Sequence, residues 1–572
     1  MGPLVSVLDG LDDQQRLAAG TLRGPVCVMA GAGTGKTRVI TRRIAHGVDT
    51  GAYSPNRMMA VTFTSKAAGE MRGRLRALGV PGVAARTFHS AALSQLNFFW
   101  PQVSGGENAP NIVDNKVRLL AHAADGIGMS LSTPALRDIA SEIEWRKVQM
   151  RSIEQYAATG RSAAHLSTEA MTRVQHAYEK LKDERRQLDF EDVLLACAGM
   201  IEAEPRVAAA IREQYRHFTV DEYQDVSPLQ HHLLKLWLGE RRDICVVGDA
   251  SQTIFSFAGA DNRYLLDFGR EYPDATVVKL ERNYRSDGAI LAVANDLMRG
   301  REGALTLTPS AETESPTPAV TAYETEHDEA AGVALAIRKQ IQQGVSPASI
   351  AVLYRAQAQS APLLQALATQ GIACTVMGGR RFFDLPEVRS AVLKLRGAAI
   401  APNNHGFLPT VRTVLAEDGL TETPPEAGGA LRDAWESRRA LLRLAEEAPP
   451  GTTLAAFAED LLARSKDQHE PVLQTVTLAT MHAAKGLEWE HVHSVGWSEG
   501  LLPIAYAQGF DAVDEERRLA YVAVTRAART LALSWARGEG RQRRSPSRFL
   551  QEIGSRSLRA VGTAGRVAGS SR

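Results

Sequence analysis

Residues Pro25–Thr37 constrain this chain more than any others. An apolar run, Pro25-Val26-Cys27-Val28-Met29-Ala30, leads into Gly31-Ala32-Gly33-Thr34-Gly35-Lys36-Thr37, and a helix-like stretch beginning Arg38-Val39-Ile40 follows. The order is strand, glycine-rich loop, helix. Small residues let backbone N–H groups turn inward around an anion, and the helix adds the positive end of its dipole. Gly-Lys-Thr at the end of the loop completes a P-loop pattern, with Ala30 where the first glycine usually stands. The pattern implies a polyphosphate, whose β/γ-phosphates Lys36 would reach and whose Mg²⁺ Thr37 would ligate.

A phosphate loop of this kind needs an acidic partner on a neighbouring strand. His217-Phe218-Thr219-Val220 runs into Asp221-Glu222-Tyr223-Gln224-Asp225. Asp221 is placed to hold Mg²⁺ and Glu222 to orient and deprotonate the attacking water.

Around this pair the chain alternates short apolar runs with helix-length periodic stretches, the pattern of an α/β protein. Strands are expected at Pro25–Ala30, Met58–Phe63, His217–Val220, Ile244–Gly248, Thr276–Leu280, Ile350–Tyr354, Val476–Ala479, His491–Val495 and Leu531–Trp535. The intervals 94–185 and 396–469 lack such runs and read as helical insertions into two α/β cores. A loop tolerates insertions because closure entropy grows slowly with length. Residues 302–318, with Pro309, Pro316 and Pro318, read as a connector. From Ala536 onward nine Arg face only Glu539 and Glu552, and residues 554–572 are expected to be a basic, disordered tail.

Composition removes other classes. With 572 residues the chain has room for several cores, and 44% hydrophobic against 23% charged residues suits a folded soluble protein. No apolar run approaches the roughly 18 residues of a membrane span, and no secretory signal is expected at the N-terminus. Cys27, Cys197, Cys245 and Cys374 lie far apart, which argues against a disulfide framework, a zinc ribbon or an iron–sulfur cluster and suits a reducing cytoplasm. Lys+Arg 66 against Asp+Glu 65 leaves nucleic acid open as a partner, since a groove can be basic while the whole is neutral.

Asp-Glu-Tyr-Gln-Asp, taken with the glycine loop, resembles the Walker B motif of superfamily 1 DNA helicases of the UvrD/Rep/PcrA type, and the resemblance continues in order to about Leu550. Leu11–Arg16 looks like the Q motif, with Gln15 to read adenine. Val247–Gln252 looks like motif III, with Gln252 as γ-phosphate sensor. Leu280–Ser286 looks like motif IV, where Tyr284 would stack on adenine and Arg285 contact the γ-phosphate. Thr480–Trp489 looks like motif V, and Tyr521–Ala527 like motif VI, with Arg526 as arginine finger. The resemblance implies an ATP-binding set of Gln15, Gly31, Ala32, Gly33, Thr34, Gly35, Lys36, Thr37, Arg38, Tyr284, Arg285, Glu488 and Arg526. It implies catalytic roles for Lys36, Asp221, Glu222, Gln252, Arg285 and Arg526, and a metal pair Thr37 and Asp221.

The same resemblance implies a single-strand track. Ala60–Ala68 is similar to motif Ia and Arg86–Ser90 to motif Ib, and Ile254–Ala260 follows motif III. Thr62, Phe63, Ser65, His89, Phe255 and Phe257 would touch DNA from one core, and Arg355, Thr480 and His482 from the other. Aromatic platforms in a basic groove bind single strands without reading sequence. Two departures stand out. Phe257-Ala258 replaces the Trp-Arg of PcrA-like proteins, and the 396–469 insertion is shorter than the family's 2B domain.

The expected fold is therefore two RecA-like parallel-sheet motor domains, each with an inserted mainly helical subdomain. Domain 1A would comprise 1–93 and 186–275, with 94–185 as insertion 1B. Domain 2A would comprise 276–395 and 470–553, with 396–469 as insertion 2B. The expected function is an ATP-dependent 3′–5′ DNA helicase or translocase using Mg²⁺, acting on single-stranded DNA and single/double-strand junctions in repair or replication. Its place would be cytoplasmic and nucleoid-associated. The alternative is a translocase that displaces proteins with little unwinding.

Overall fold

The computed structural model describes residues 6–163, 166–311, 315–377, 383, 385–400, 406–423, 430–446, 448–467, 474–538 and 543–561. The chain divides into two compact units. The first is Met1–Asn283 with Gly300–Thr306, and the second is Tyr284–Arg299 with Leu307–Arg572.

The first unit is built on six parallel strands: β1 (Val26–Ala30), β2 (Met58–Thr62), β3 (Ala84–Thr87), β4 (His217–Val220), β5 (Ile244–Gly248) and β6 (Thr276–Leu280). Their order is β3-β2-β4-β5-β1-β6. Strands β1, β2, β4 and β5 are buried almost throughout, which is why they read as unbroken apolar runs rather than alternating ones. One face packs on helices Phe88–Val103, Phe190–Ala203, Pro205–Gln214 and Pro228–Leu238. The other packs on Asp13–Gly20, Lys36–Asp49 and Ser65–Ala77.

Two expected boundaries are corrected here. Strand β6 was expected to open the second motor domain at residue 276, yet it pairs with β1, Val28 facing Val278. Its apolar side chains Val278 and Leu280 complete the core of the first sheet, so the unit runs on to Asn283. The insertion expected at 94 begins later, because helix Phe88–Val103 buries Ala91, Ala92 and Leu96 in the sheet core. A separate core around Leu120, Ile139, Ile143, Met171, Val174 and Tyr178 marks the inserted helices proper. A two-residue parallel ladder, Asn111-Ile112 with Gln187-Leu188, closes their neck.

The second unit carries seven parallel strands: β7 (Ala319–Tyr323), β8 (Ile350–Tyr354), β9 (Cys374–Val376), β10 (Val476–Thr480), β11 (Trp489–Ser494), β12 (Ala527–Ala536) and β13 (Arg559–Val561). Their order is β9-β10-β8-β11-β12-β7-β13. Helix Pro386–Ile400 crosses the boundary expected at 396. Its Val388, Ala391 and Leu395 share a core with helices Phe407–Glu417, Ala430–Glu446 and Leu454–Asp467, so this insertion starts about ten residues earlier than expected. The tail expected to be disordered from 554 is ordered in its first part. Arg559–Val561 adds an edge strand beside β7, Val320 facing Ala560. The rest of that expectation, residues 562–572, lies outside the described residues. No described helix is long and apolar enough to cross a membrane.

Candidate nucleotide and nucleic-acid site

Five motifs of the first unit leave the carboxyl edge of its sheet, while the Q motif lies at the start of helix Asp13–Gly20. The glycine loop follows β1, motif Ia follows β2, Ib follows β3, Asp221-Glu222 follows β4, and Asp249–Gln252 follows β5. In an open parallel sheet this edge is where ligands bind.

The loop is held from several sides. Gly33 and Gly35 have φ of 69° and 85°. At Gly35 a Cβ would also lie 2.9 Å from the Gln15 amide nitrogen, so only glycine fits there. The buried Thr34 hydroxyl donates to the Gly31 carbonyl at 2.9 Å, and the Asn283 amide donates to the Ala32 carbonyl at 2.6 Å. Lys36 Nζ donates to the Ala30 carbonyl at 3.3 Å. Thr37 is half-buried on the first turn of its helix. Arg38 is exposed and donates to the Gly10 carbonyl at 2.8 Å.

Gln15 sits differently from the expectation. It is buried, donates to the Thr34 carbonyl at 2.9 Å and accepts from the Asp12 N–H at 3.3 Å. The capping box with Asp12 turns its amide inward, where it braces the loop instead of facing a base. Gln14 lines the neighbouring open cleft of about 420 Å³, with Asp12, Asp13, Lys279, Glu281 and Arg282.

Asp221 is buried at the end of β4. Burial, then the Glu222 carboxylate, pushes its pKa up to about 7 against the pull of Lys36. Glu222 has φ of 53°, a left-handed conformation that costs a non-glycine residue about 1–3 kcal/mol. A polar net over-determines that turn. Gln224 Nε2 donates to Glu222 at 2.6 Å and to Asp225 at 3.2 Å, while Gln224 Oε1 accepts from the Asp249 N–H at 2.9 Å. Gln252 donates to Asp249 at 2.7 Å. Burial raises Asp249 as well, again opposed by Lys36. The arrangement concentrates buried carboxylates around a single ammonium, and a hard dication would relieve it. Among the described residues no three His, Cys, Asp or Glu side chains form a metal cage. A Mg²⁺ completed by substrate oxygens and water would need only one or two protein donors and no such cage.

The expected DNA residues of this unit divide by exposure. Phe257 is 65% exposed, its ring edge-on to half-buried Phe255 at 6.2 Å. Phe63 is half-buried against the sheet core, and Ser65 is exposed at the start of its helix. Thr62 contradicts the expectation. As the last residue of β2 it points inward and is buried, and its hydroxyl has no hydrogen-bond partner among the described residues. Half-buried His89 stacks on Phe190 at 3.7 Å and 15°, and burial pushes its pKa down to about 4. Phe190 escaped the sequence reading although it is 57% exposed. The available signal was an aromatic residue at the first position of a helix capped by Asp189, where polar side chains are usual.

In the second unit each expected arginine is already engaged. Arg285 Nε donates to Glu488 at 2.5 Å, and Arg285 Nη1 donates to the Thr525 carbonyl at 3.3 Å. Glu488 is exposed and holds this ion pair, while Tyr284 is exposed beside it. Arg526 is 2% exposed. It donates to the Val522 and Leu487 carbonyls and to the Thr525 hydroxyl, each at 3.0 Å. The last turn of helix Phe510–Val524 has carbonyls without intrahelical partners, and Arg526 satisfies one of them, that of Val522. Arg355 is likewise no open phosphate contact, since it grips the buried Glu516 carboxylate at 2.7–3.0 Å. Thr480 accepts from the Ala483 N–H at 3.2 Å. Half-buried His482 has its pKa pushed down to about 4 by burial, then by Arg355 and Lys485.

Comparison with known proteins identifies the family. Residues 11–273 match the UvrD/REP helicase N-terminal domain, and residues 278–414 and 431–538 match the UvrD-like helicase C-terminal domain. The ATP-dependent DNA helicase UvrD2 of Mycobacterium tuberculosis is 45% identical over 96% of this chain and 82% of its own length. UvrD1 of Mycobacterium leprae is 30% identical over 96% and 86%, and PcrA of Staphylococcus aureus 28% identical over 96% and 87%. With both family domains matched in sequence order and that identity spanning nearly the whole chain, the protein belongs to the UvrD/Rep helicase family.

Proposed function

We propose that this protein is an ATP-dependent DNA helicase of the UvrD/PcrA type that moves 3′ to 5′ along single-stranded DNA and opens single/double-strand junctions in repair or replication. The observation that carries the reading is the first unit's carboxyl edge, where Lys36, Asp221, Glu222 and Gln252 converge on the glycine loop. Lys36 binds the β/γ-phosphates, and the loop's N–H groups orient them. Thr37 and Asp221 hold Mg²⁺, which when bound neutralises phosphate charge. Glu222 accepts the proton of the attacking water, and its strained turn fixes the carboxylate for that task. Gln252 reports on the γ-phosphate. The motif match also assigns nucleotide roles to Tyr284, Arg285, Glu488 and Arg526 of the second unit. Arg285 and Arg526 would supply the positive charge that the departing phosphate demands.

The DNA track uses Phe257, Phe255, Phe63, Ser65 and the His89–Phe190 stack, and the motif match assigns Thr480 and His482 of the second unit to the same task. Thr62 acts behind Phe63 and not on the strand. The test is strand displacement by the full chain on 3′-tailed and 5′-tailed duplexes with ATP. Displacement of the 3′-tailed duplex alone supports the reading, and displacement of the 5′-tailed duplex alone removes the polarity. A second reading, a translocase that strips proteins with little unwinding, is favoured by the short second insertion. It predicts DNA-stimulated ATPase without displacement of either duplex.

A further inference from the structure

The amino edge of the first sheet carries a cleft that the nucleotide and DNA residues leave untouched. Four adjacent strands, β2, β4, β5 and β1, begin there. Arg57 precedes β2, Arg216 precedes β4, Arg241 and Asp243 precede β5, and Arg23 precedes β1. With Gly51, Ala52, Ser54 and His217 they line a space of about 550 Å³. Strand β1 is five residues long, so this cleft lies about 17 Å from the glycine loop along the strand.

Its charges are not balanced from within. Met58 pairs with His217 in register, so Arg57 and Arg216 stand side by side, and the Arg216 N–H donates to the Arg57 carbonyl at 2.8 Å. Like charges on neighbouring strands repel. A single carboxylate, Glu213, serves both, at 2.8 Å from Arg57 and 2.7 Å from Arg216. Asp243 lies 3.5 Å from Arg23 and accepts from the Gly24 N–H at 2.9 Å. Arg241 donates to the Arg212 carbonyl and, at 3.0 Å, to the Tyr215 carbonyl, which fixes its guanidinium without neutralising it. Four guanidiniums therefore share two carboxylates.

His217 gives an independent sign. It is only 8% exposed, yet its Nδ1 has no hydrogen-bond partner among the described residues. The nearest acidic oxygen, on Asp243, is 3.8 Å away, and the ring leans on Tyr53 at 4.5 Å. A buried polar atom of this kind is costly unless something meets it. Guanidinium forks match phosphate oxygens in pairs, and a cleft of this volume suits a small ligand.

We propose that this cleft is a second anion site, for a phosphate-bearing small molecule up to the size of a mononucleotide, held by Arg23, Arg57 and Arg216. The test is calorimetric titration of the full chain with pyrophosphate and with AMP, in wild type and in Lys36→Ala, whose glycine loop lacks its phosphate-binding ammonium. One further site is expected. Its affinity should fall at least tenfold in the Arg57→Ser/Arg216→Ser double variant and change less than twofold in Lys36→Ala. AMP binding at least as tightly as pyrophosphate assigns a nucleotide; pyrophosphate alone assigns a bare phosphate chain. Absence of a further site overturns the proposal, as does a site indifferent to the arginines or lost with Lys36. Duplex DNA bound through the same arginines, with no pyrophosphate binding, overturns the small-ligand assignment. Circular dichroism and melting check that the double variant folds. Should it not, Arg23→Ser, on the outermost arginine, is expected to weaken binding at least threefold, and an unchanged affinity overturns the proposal.

Discussion

The two units hold their charged groups in opposite ways. In the first, the carboxylates Asp221 and Asp249 are buried at strand ends, and burial pushes their pKa values up. In the second, the arginines that matter are met by protein: Arg285 by Glu488, Arg355 by Glu516, and Arg526 by carbonyls of its own unit. One half is a cradle of buried carboxylates beside a strained turn. The other is a set of cations each resting on a substitute acceptor. A charged cradle and a satisfied reserve behave differently under substitution, and that difference can be tested.

The largest effect belongs to the cradle. Glu222→Gln is expected to cut ATP turnover by about 10⁴-fold, near the upper range for a removed acid–base group, and Lys36→Ala by about 10³-fold through lost phosphate stabilisation, while single-strand affinity largely survives. Steady-state ATPase and fluorescence anisotropy with a labelled oligonucleotide check both halves. Turnover near wild type in either variant would remove the chemistry assigned to this edge. Arg526→Ala comes next, at about 10³-fold, because an arginine finger contributes at least that much. Nucleotide binding should be retained. Binding and turnover lost together would mean that Arg526 is a structural residue satisfying carbonyls and nothing more.

Smaller effects probe the track. Phe257→Ala and Phe190→Ala should each cost about 1–3 kcal/mol of single-strand affinity if their rings stack on bases. Unchanged affinity for Phe190 would reduce it to a cover for His89. On the reserve side, Glu488→Gln should change nucleotide affinity only severalfold, since a half-exposed ion pair contributes about 1 kcal/mol or less. A tightening of ATP binding sharpens the contrast between the units, because it shows Arg285 released from its substitute. A loss would show Glu488 itself serving the nucleotide.

How far the sequence revealed this follows from burial. Strands β1, β4 and β5 were legible because central parallel strands are buried on both faces and read as apolar runs. The strands that escaped, β3, β7, β9 and β13, lie at or next to a sheet edge, where Ala84-Ala85-Arg86-Thr87 and Arg559-Ala560-Val561 carry no such run. The glycine loop and Asp221-Glu222 were legible because their chemistry needs fixed residues at fixed spacing. What each side chain touches was not. The motif match assigns Gln15 and Arg526 to the nucleotide, but nothing in the sequence announces that a capping box turns Gln15 inward or that a helix end captures Arg526. The domain boundaries failed for a related reason. Helices Phe88–Val103 and Pro386–Ile400 belong to whichever core their apolar face meets, and composition does not say which.

The smallest effect expected at neutral pH concerns three histidines. Burial pushes His89, in the first unit, and His482 and His493, in the second, from an ordinary 6.5 down to about 4. All three are therefore neutral in the folded protein at pH 7, and removing their titration there changes little. On acidification the unfolded chain takes up protons below about 6.5, whereas the folded chain resists until about 4. Between those values the unfolded state binds more protons, so stability falls as pH falls, and below about 4 these groups add no further loss. His493 is the cleanest probe, being fully buried and paired through Nε2 with Gln340 at 2.9 Å. His493→Gln keeps a polar group there and removes the titration. Its apparent Tm should match wild type within a few degrees at pH 7.5 and fall less steeply between pH 6.5 and 4.5. Parallel acid slopes for the two proteins would mean that His493 titrates normally, and the acid loss would then belong to His89, His482 or other groups.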